Sequence, residues 1–138
     1  MTIPRAFLSF DFDHDEVSKR MFAGQCAKDS PTPFNVSDWS SKAALPQSQW
    51  ENLIRQKINK TNMVIVLVGR YMASATGVTK EIAMAKAQNV PVFGVYVDNA
   101  GPSSTLPIGL QRNRTVIWTW PNVGNLIKQG MREGKNAR

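Results

Sequence analysis

The 138-residue sequence holds one cysteine and one histidine, Cys26 and His14. A lone cysteine closes no disulfide within its own chain, and the two together fall short of the three or four side chains that a zinc site takes. The longest apolar run, Met63 to Val68, is far shorter than the roughly 20 residues a membrane-spanning helix requires. No succession of basic, apolar and small residues at the N-terminus resembles a secretion signal. These absences predict a cytoplasmic protein with no metal and no membrane insertion. Also missing are a Gly-x-x-x-x-Gly-Lys run and a Gly-x-Gly-x-x-Gly after the first strand, which argues against nucleoside-triphosphatase and dinucleotide-fingerprint sites. Where a receiver domain carries a phosphorylated aspartate after its third strand, this chain has Gly69-Arg70.

What is present is an ordinary globular composition, 42% apolar and 20% charged, in a length suited to one domain. A single domain over residues 1–138 is expected, with a basic tail from about residue 132. The net charge of +7 invites a nucleic-acid reading, because clustered cations release counterions from phosphate backbones. The distribution speaks against it. Lys128, Arg132, Lys135 and Arg138 face only Glu133 in a stretch that reads as a frayed tail, and none of the usual nucleic-acid reader motifs occurs. No direct nucleic-acid partner is expected.

Along the chain, apolar runs alternate with helical periodicity. Ala6-Phe7-Leu8-Ser9-Phe10 reads as a buried first strand ending at Asp11. A helix from Asp13 to about Lys28 follows, with acidic residues at its start and Val17, Met21 and Phe22 on its apolar face. Phe34-Asn35-Val36 reads as a short second strand that enters a loop carrying Asp38 and Trp39. Pro46 opens a helix to about Lys60, with Trp50, Leu53, Ile54 and Ile58 on one side. Met63 to Val68 is uninterrupted and rich in β-branched residues and predicts a central strand covered on both faces. Thr79 to Asn89 is an Ala-rich helix, Pro91 to Val97 a fourth strand, and Thr115 to Trp118 a fifth. Between the last two lies an irregular loop over residues 100–114. A final helix opens at Pro121, with Val123, Leu126, Ile127 and Met131 as its stripe. The alternation implies right-handed crossovers and a three-layer, flavodoxin-like α/β fold whose five-stranded, mainly parallel sheet has the order 2-1-3-4-5. Ligands of such sheets bind beyond the carboxyl ends of the strands.

The polar and aromatic residues at that edge are Ser9, Phe10, Asp11, Asp13, Asp38, Trp39 and Arg70, with Glu81 on the helix that follows the third strand. The aromatic-Ser-aromatic first strand, Asp38-Trp39, the Met63-to-Gly69 strand and Glu81 together resemble TIR-like domains, in particular the branch that includes the ThsB proteins of bacterial Thoeris antiphage defence. The resemblance runs from about Arg5 to Val97. It implies an NAD-consuming enzyme in which Glu81 serves cleavage of the nicotinamide–ribose bond, with NAD as substrate and no cofactor. It further implies that Ser9, Phe10 and Asp11 line the first-strand side, that Phe10 or Trp39 stacks on a flat ring, that Asp38 stands in the pocket wall, and that Arg70 faces the pyrophosphate. Self-association on activation and a separate effector that senses the product belong to the same expectation. One departure stands out: many family members carry a large aromatic residue four positions before the glutamate, and this chain has Gly77.

Each residue also has a plainer reading. Glu81 can be a solvated helix residue paired with Lys80 or Lys86, Trp39 a core-edge aromatic, and the Asp11, Asp13 and Asp15 group a helix cap. His14 reads as a surface or capping residue and Cys26 as packing. Trp118 and Trp120 read as strand-end packing or an association surface. Two function classes stay open: an NAD-consuming enzyme, and a non-catalytic signalling module of the same fold.

Overall fold

The computed structural model describes residues 4–11, 19–22, 35–39, 46–70, 76–97, 100–101 and 103–136. Among the described residues five strands form one sheet: β1 (Arg5–Ser9), β2 (Asn35–Trp39), β3 (Met63–Val68), β4 (Val92–Tyr96) and β5 (Thr115–Ile117). They lie in the order β2-β1-β3-β4-β5, and every neighbouring pair is parallel. The α/β class and the parallel sheet are those expected from alternating strands and helices. β3 is buried along its whole length, as its unbroken apolar run requires of a strand covered on both faces.

Side chains alternate across the sheet and divide the core in two. On one face Phe7, Val64, Val66, Val68, Val92 and Tyr96 meet helix α1 (Gln47–Asn59), through Ile54 and Ile58, and helix α2 (Thr76–Ala87), through Val78, Ile82 and Ala85. On the other, Ala6, Leu8, Met63, Ile65, Leu67, Phe93 and Val95 meet helix α3 (Trp120–Gly130), through Val123, Leu126 and Ile127, together with Phe22 of the helical residues 19–22. Among the described residues no helix is long and apolar enough to cross a membrane.

Several boundaries differ from the sequence reading. Asp38 and Trp39 belong to β2 and not to a loop: they stand beside Phe7 and Leu8 of β1 after a register shift at Ala6 and Phe7. The shift lets a strand of mixed polarity stay paired for two residues more than its pattern suggests. Helix α2 begins at Thr76, so Gly77 is helical and not part of a soft connection. It ends at Ala87, two residues earlier than expected, because Asn89 takes a left-handed conformation, φ 60°. There Asn89 N–H donates to the Lys86 carbonyl and Val90 N–H to the Ala85 carbonyl, the paired bonds that close a helix by a Schellman turn. Pro46 is the N-cap of α1 and not its first helical residue. Met21 is half exposed while Phe22 is fully buried, so the apolar face of that helical segment runs through Phe22. Phe22 packs on Trp118 and Trp120 with ring centroids 5.4 Å away from each, which places the two tryptophans in strand-end packing. Thr119 caps α3 by accepting from Asn122 N–H at 3.3 Å.

The stretch expected to fray is docked as far as residue 136. Arg114 grips the Glu133 carboxylate through two nitrogens, at 2.7 and 3.3 Å, and its guanidinium lies 4.3 Å from the Phe93 ring centre. Asn136 donates to the carbonyls of Asn62 and Gly130, and its own side-chain oxygen accepts from Asn62. The charge count alone gives no sign of these bonds. Val17, Cys26, Asp13, His14 and Asp15 lie outside the described residues.

Candidate functional site

Ser9 closes β1 at the carboxyl edge of the sheet. Because Phe7 and Ser9 share a face, its side chain points toward α2, where an apolar residue would continue the pattern. A hydroxyl buried there without a partner costs about 1–3 kcal/mol. Ser9 is fully buried and meets that demand by donating from Oγ to Glu81 Oε1 at 2.6 Å.

Glu81 is the sixth residue of α2. Its face of the helix is set by spacing: Val78, Glu81, Ile82 and Ala85 lie at i, i+3, i+4 and i+7, and all four are buried. Glu81 is 1% exposed, and Oε2 is shut off from solvent as completely as the rest of the side chain. This is the opposite of the solvated ion pair that a helical glutamate ordinarily makes. Lys80, next along, points away and reaches Glu51 of α1 at 4.0 Å, while Lys86 is exposed on the last turn. A buried carboxylate is expensive unless charge or hydrogen bonds compensate, so its presence on the inward face of α2 makes Glu81 the candidate for chemistry at this edge.

The parallel strands bring the other expected residues to the same edge to different degrees. Asp11 follows β1 and is buried, at 8% exposure. Asp38 and Trp39 end β2, beside β1. Arg70 stands in the exposed turn after β3. Phe10 does not join Ser9 and Glu81: it is 2% exposed and belongs to the core cluster on the opposite face of the sheet, with Lys19 Nζ 5.9 Å from its ring centre. The strand alternation that aims Ser9 at α2 aims Phe10 away from it. At the carboxyl end of β4, Tyr96 is nearly buried, and Arg112 donates to its hydroxyl at 3.3 Å and to the Ser104 carbonyl at 2.8 Å. Neither Tyr96 nor Arg112 was expected at the edge from the sequence, although an aromatic residue with a polar tip closing a buried strand is a usable signal.

An open groove of about 290 Å³ lies at the other end of the sheet, lined by Lys86, Asn89, Gly109, Gln111, Arg114 and Glu133 among others. Of its two cations, Arg114 is already engaged by Glu133, by the Val92 carbonyl and by the Phe93 ring. The carboxyl edge carries the buried acid and its donor, so the chemical interest lies there.

A family model described as the TIR-like domain of the Thoeris protein ThsB matches residues 7–102. That span runs from β1 through β4 and includes Ser9, Asp38, Trp39, Arg70 and Glu81. No curated protein matches the chain.

Proposed function

The chain belongs to the TIR-like domain family of the Thoeris protein ThsB, and from that premise we propose that it cleaves the nicotinamide–ribose bond of NAD. The observation that carries this reading is the Glu81 carboxylate, buried at 1% exposure and held by Ser9. On the flavodoxin-like reading of the sheet, it stands where ligands of such folds bind.

The chemistry needs such a group. As the bond between ribose C1′ and the nicotinamide nitrogen lengthens, its electron pair leaves with nicotinamide, and the ribose becomes an oxocarbenium-like cation. A carboxylate fixed in a dry environment stabilises that charge far better than one in water, because no solvent reorganises around it. Glu81 takes this role in the proposal. Water attacking C1′ gives ADP-ribose and a proton; a nitrogen of the adenine ring attacking instead gives a cyclic product and a proton. Either serves as a second messenger sensed by a separate effector in antiphage defence. Asp11, Asp38, Trp39 and Arg70 act as substrate-binding groups at the same edge, with Trp39 against a flat ring and Arg70 toward the pyrophosphate. Phe10 supports β1 from the other face.

The burial of Ser9 and Glu81 also shapes the proposal: ribose reaches the carboxylate only when the edge opens, which fits a site completed by self-association on activation. The same burial is what favours the second reading, a signalling module without catalysis. Mixing purified protein with NAD, in the resting and the assembled state, and following nicotinamide release separates the two. Release that depends on assembly and is lost in Glu81→Gln supports the enzyme. An assembled protein that releases no nicotinamide supports the module.

A further inference from the structure

We infer that Ser9 is the positioning residue of Glu81: its hydroxyl sets the orientation of the carboxylate that faces the ribose. The inference rests on the proposal above that Glu81 acts on the ribose cation. It goes further by assigning Ser9 a task distinct from touching substrate.

The two ends of the bond differ in stiffness. A glutamate carboxylate hangs on a terminal torsion that is broad and roughly two-fold, so a helix alone does not define its plane. Ser9 has a single side-chain torsion above Cβ. It is carried by a strand flanked on both sides in the sheet, with Ser9 itself in register with Val66 of β3. The rigid partner therefore orients the soft one. The separation of 2.6 Å between Ser9 Oγ and Glu81 Oε1 is that of a hydroxyl on a carboxylate, a bond stronger than one between neutral groups.

The surroundings leave Ser9 little else to do. Phe7, its neighbour on the same face, and Val64, Val66 and Val68 of the adjacent strand are all apolar and buried. Ser9 is completely buried, and the oxygen it reaches lies 72 positions further along the chain. An apolar residue would satisfy the core at this point, but it would take this hydroxyl away from the carboxylate. Sites of this kind lose rate steeply when a reacting group drifts, about 100-fold for a misplacement near 1 Å.

The test compares Ser9→Ala and Ser9→Thr with wild-type protein in its active, assembled state, with Glu81→Gln as reference and circular dichroism as the check on folding. Ser9→Ala is expected to lower kcat for NAD cleavage by about 10- to 100-fold, with KM within about two-fold. Ser9→Thr, which keeps the hydroxyl, is expected to restore most of the rate. An unchanged kcat in Ser9→Ala overturns the inference. So does a raised KM with kcat intact, since Ser9 would then bind substrate directly. A second readout needs no turnover: in crystals of Ser9→Ala the Glu81 carboxylate is expected to rotate or to occupy two orientations, and an unmoved carboxylate overturns the inference. If Glu81→Gln stays active, the catalytic reading of Glu81 fails separately, and the crystal comparison still decides the role of Ser9.

Discussion

Ser9 Oγ donates to Glu81 Oε1 at 2.6 Å, joining the end of the first strand to the middle of the helix after the third. Neither residue is ordinary where it stands: each is a polar side chain at a position whose neighbours on the same face are apolar and buried. Each therefore satisfies a demand created by burying the other.

That mutual dependence has a stability consequence. Ser9→Ala takes the Ser9 hydroxyl away from the buried Glu81 carboxylate, and the expected loss is about 1–3 kcal/mol. Urea unfolding of the two proteins measures it. Equal midpoints would mean that the bond contributes nothing to folding.

At the far end of the chain, Gly134 has φ +58°, and a Cβ added there would collide with the Asn89 carbonyl oxygen. Gly134→Ala is expected to destabilise by about 1–3 kcal/mol through backbone strain and that clash. Gly101, with nothing within 4 Å of an added Cβ, provides the control: Gly101→Ala should stay within about 0.5 kcal/mol of wild type. Thermal unfolding of both variants distinguishes a docked C-terminal segment from a frayed one.

Asn136 ties the same segment to Asn62 and to the end of α3 by three side-chain bonds. Asn136→Ala should cost about 1–2 kcal/mol and speed amide exchange across residues 130–136, while leaving β3 protected. Mass-resolved hydrogen exchange checks both halves of the expectation.

Arg114 holds the Glu133 carboxyl below its ordinary range by hydrogen bonding, against a smaller opposing effect of burial, and Gln129 helps. A folded-state value below the unfolded one means that the stabilisation is fully present above the usual glutamate range and disappears as pH falls through the folded-state value. The melting temperature of wild type should therefore exceed that of Glu133→Gln at neutral pH, and the gap should close as the solution is acidified below about pH 4. A gap that persists unchanged into acid would show that the pair does not act through ionisation.

The strands and helices were legible because each carries a period or a run that only one kind of element satisfies. Met63 to Val68 is the clearest, unbroken in its apolar residues and rich in β-branched ones, and it lies within the sheet with every residue buried. Glu81 was legible as a residue through family resemblance, but its surroundings were not: a glutamate beside Lys80 reads as a surface ion pair until the helix face is known. Phe10 failed for the complementary reason. Adjacent to Ser9 in sequence, it lies on the opposite face of a strand whose period is two. Asp38 and Trp39 were misplaced because they pair with β1 beyond a register shift that no local pattern announces. The bonds of Asn136 to Asn62 and of Arg114 to Glu133 join residues 74 and 19 positions apart, beyond the reach of any local pattern.

The most direct test of the central claim is nicotinamide release from NAD by the assembled protein, measured beside Glu81→Gln with folding verified. The account predicts steady release by wild type and a loss of at least about 100-fold in the variant, the scale on which removing one charge-stabilising group acts. A correctly folded Glu81→Gln protein that cleaves NAD at the wild-type rate would contradict it.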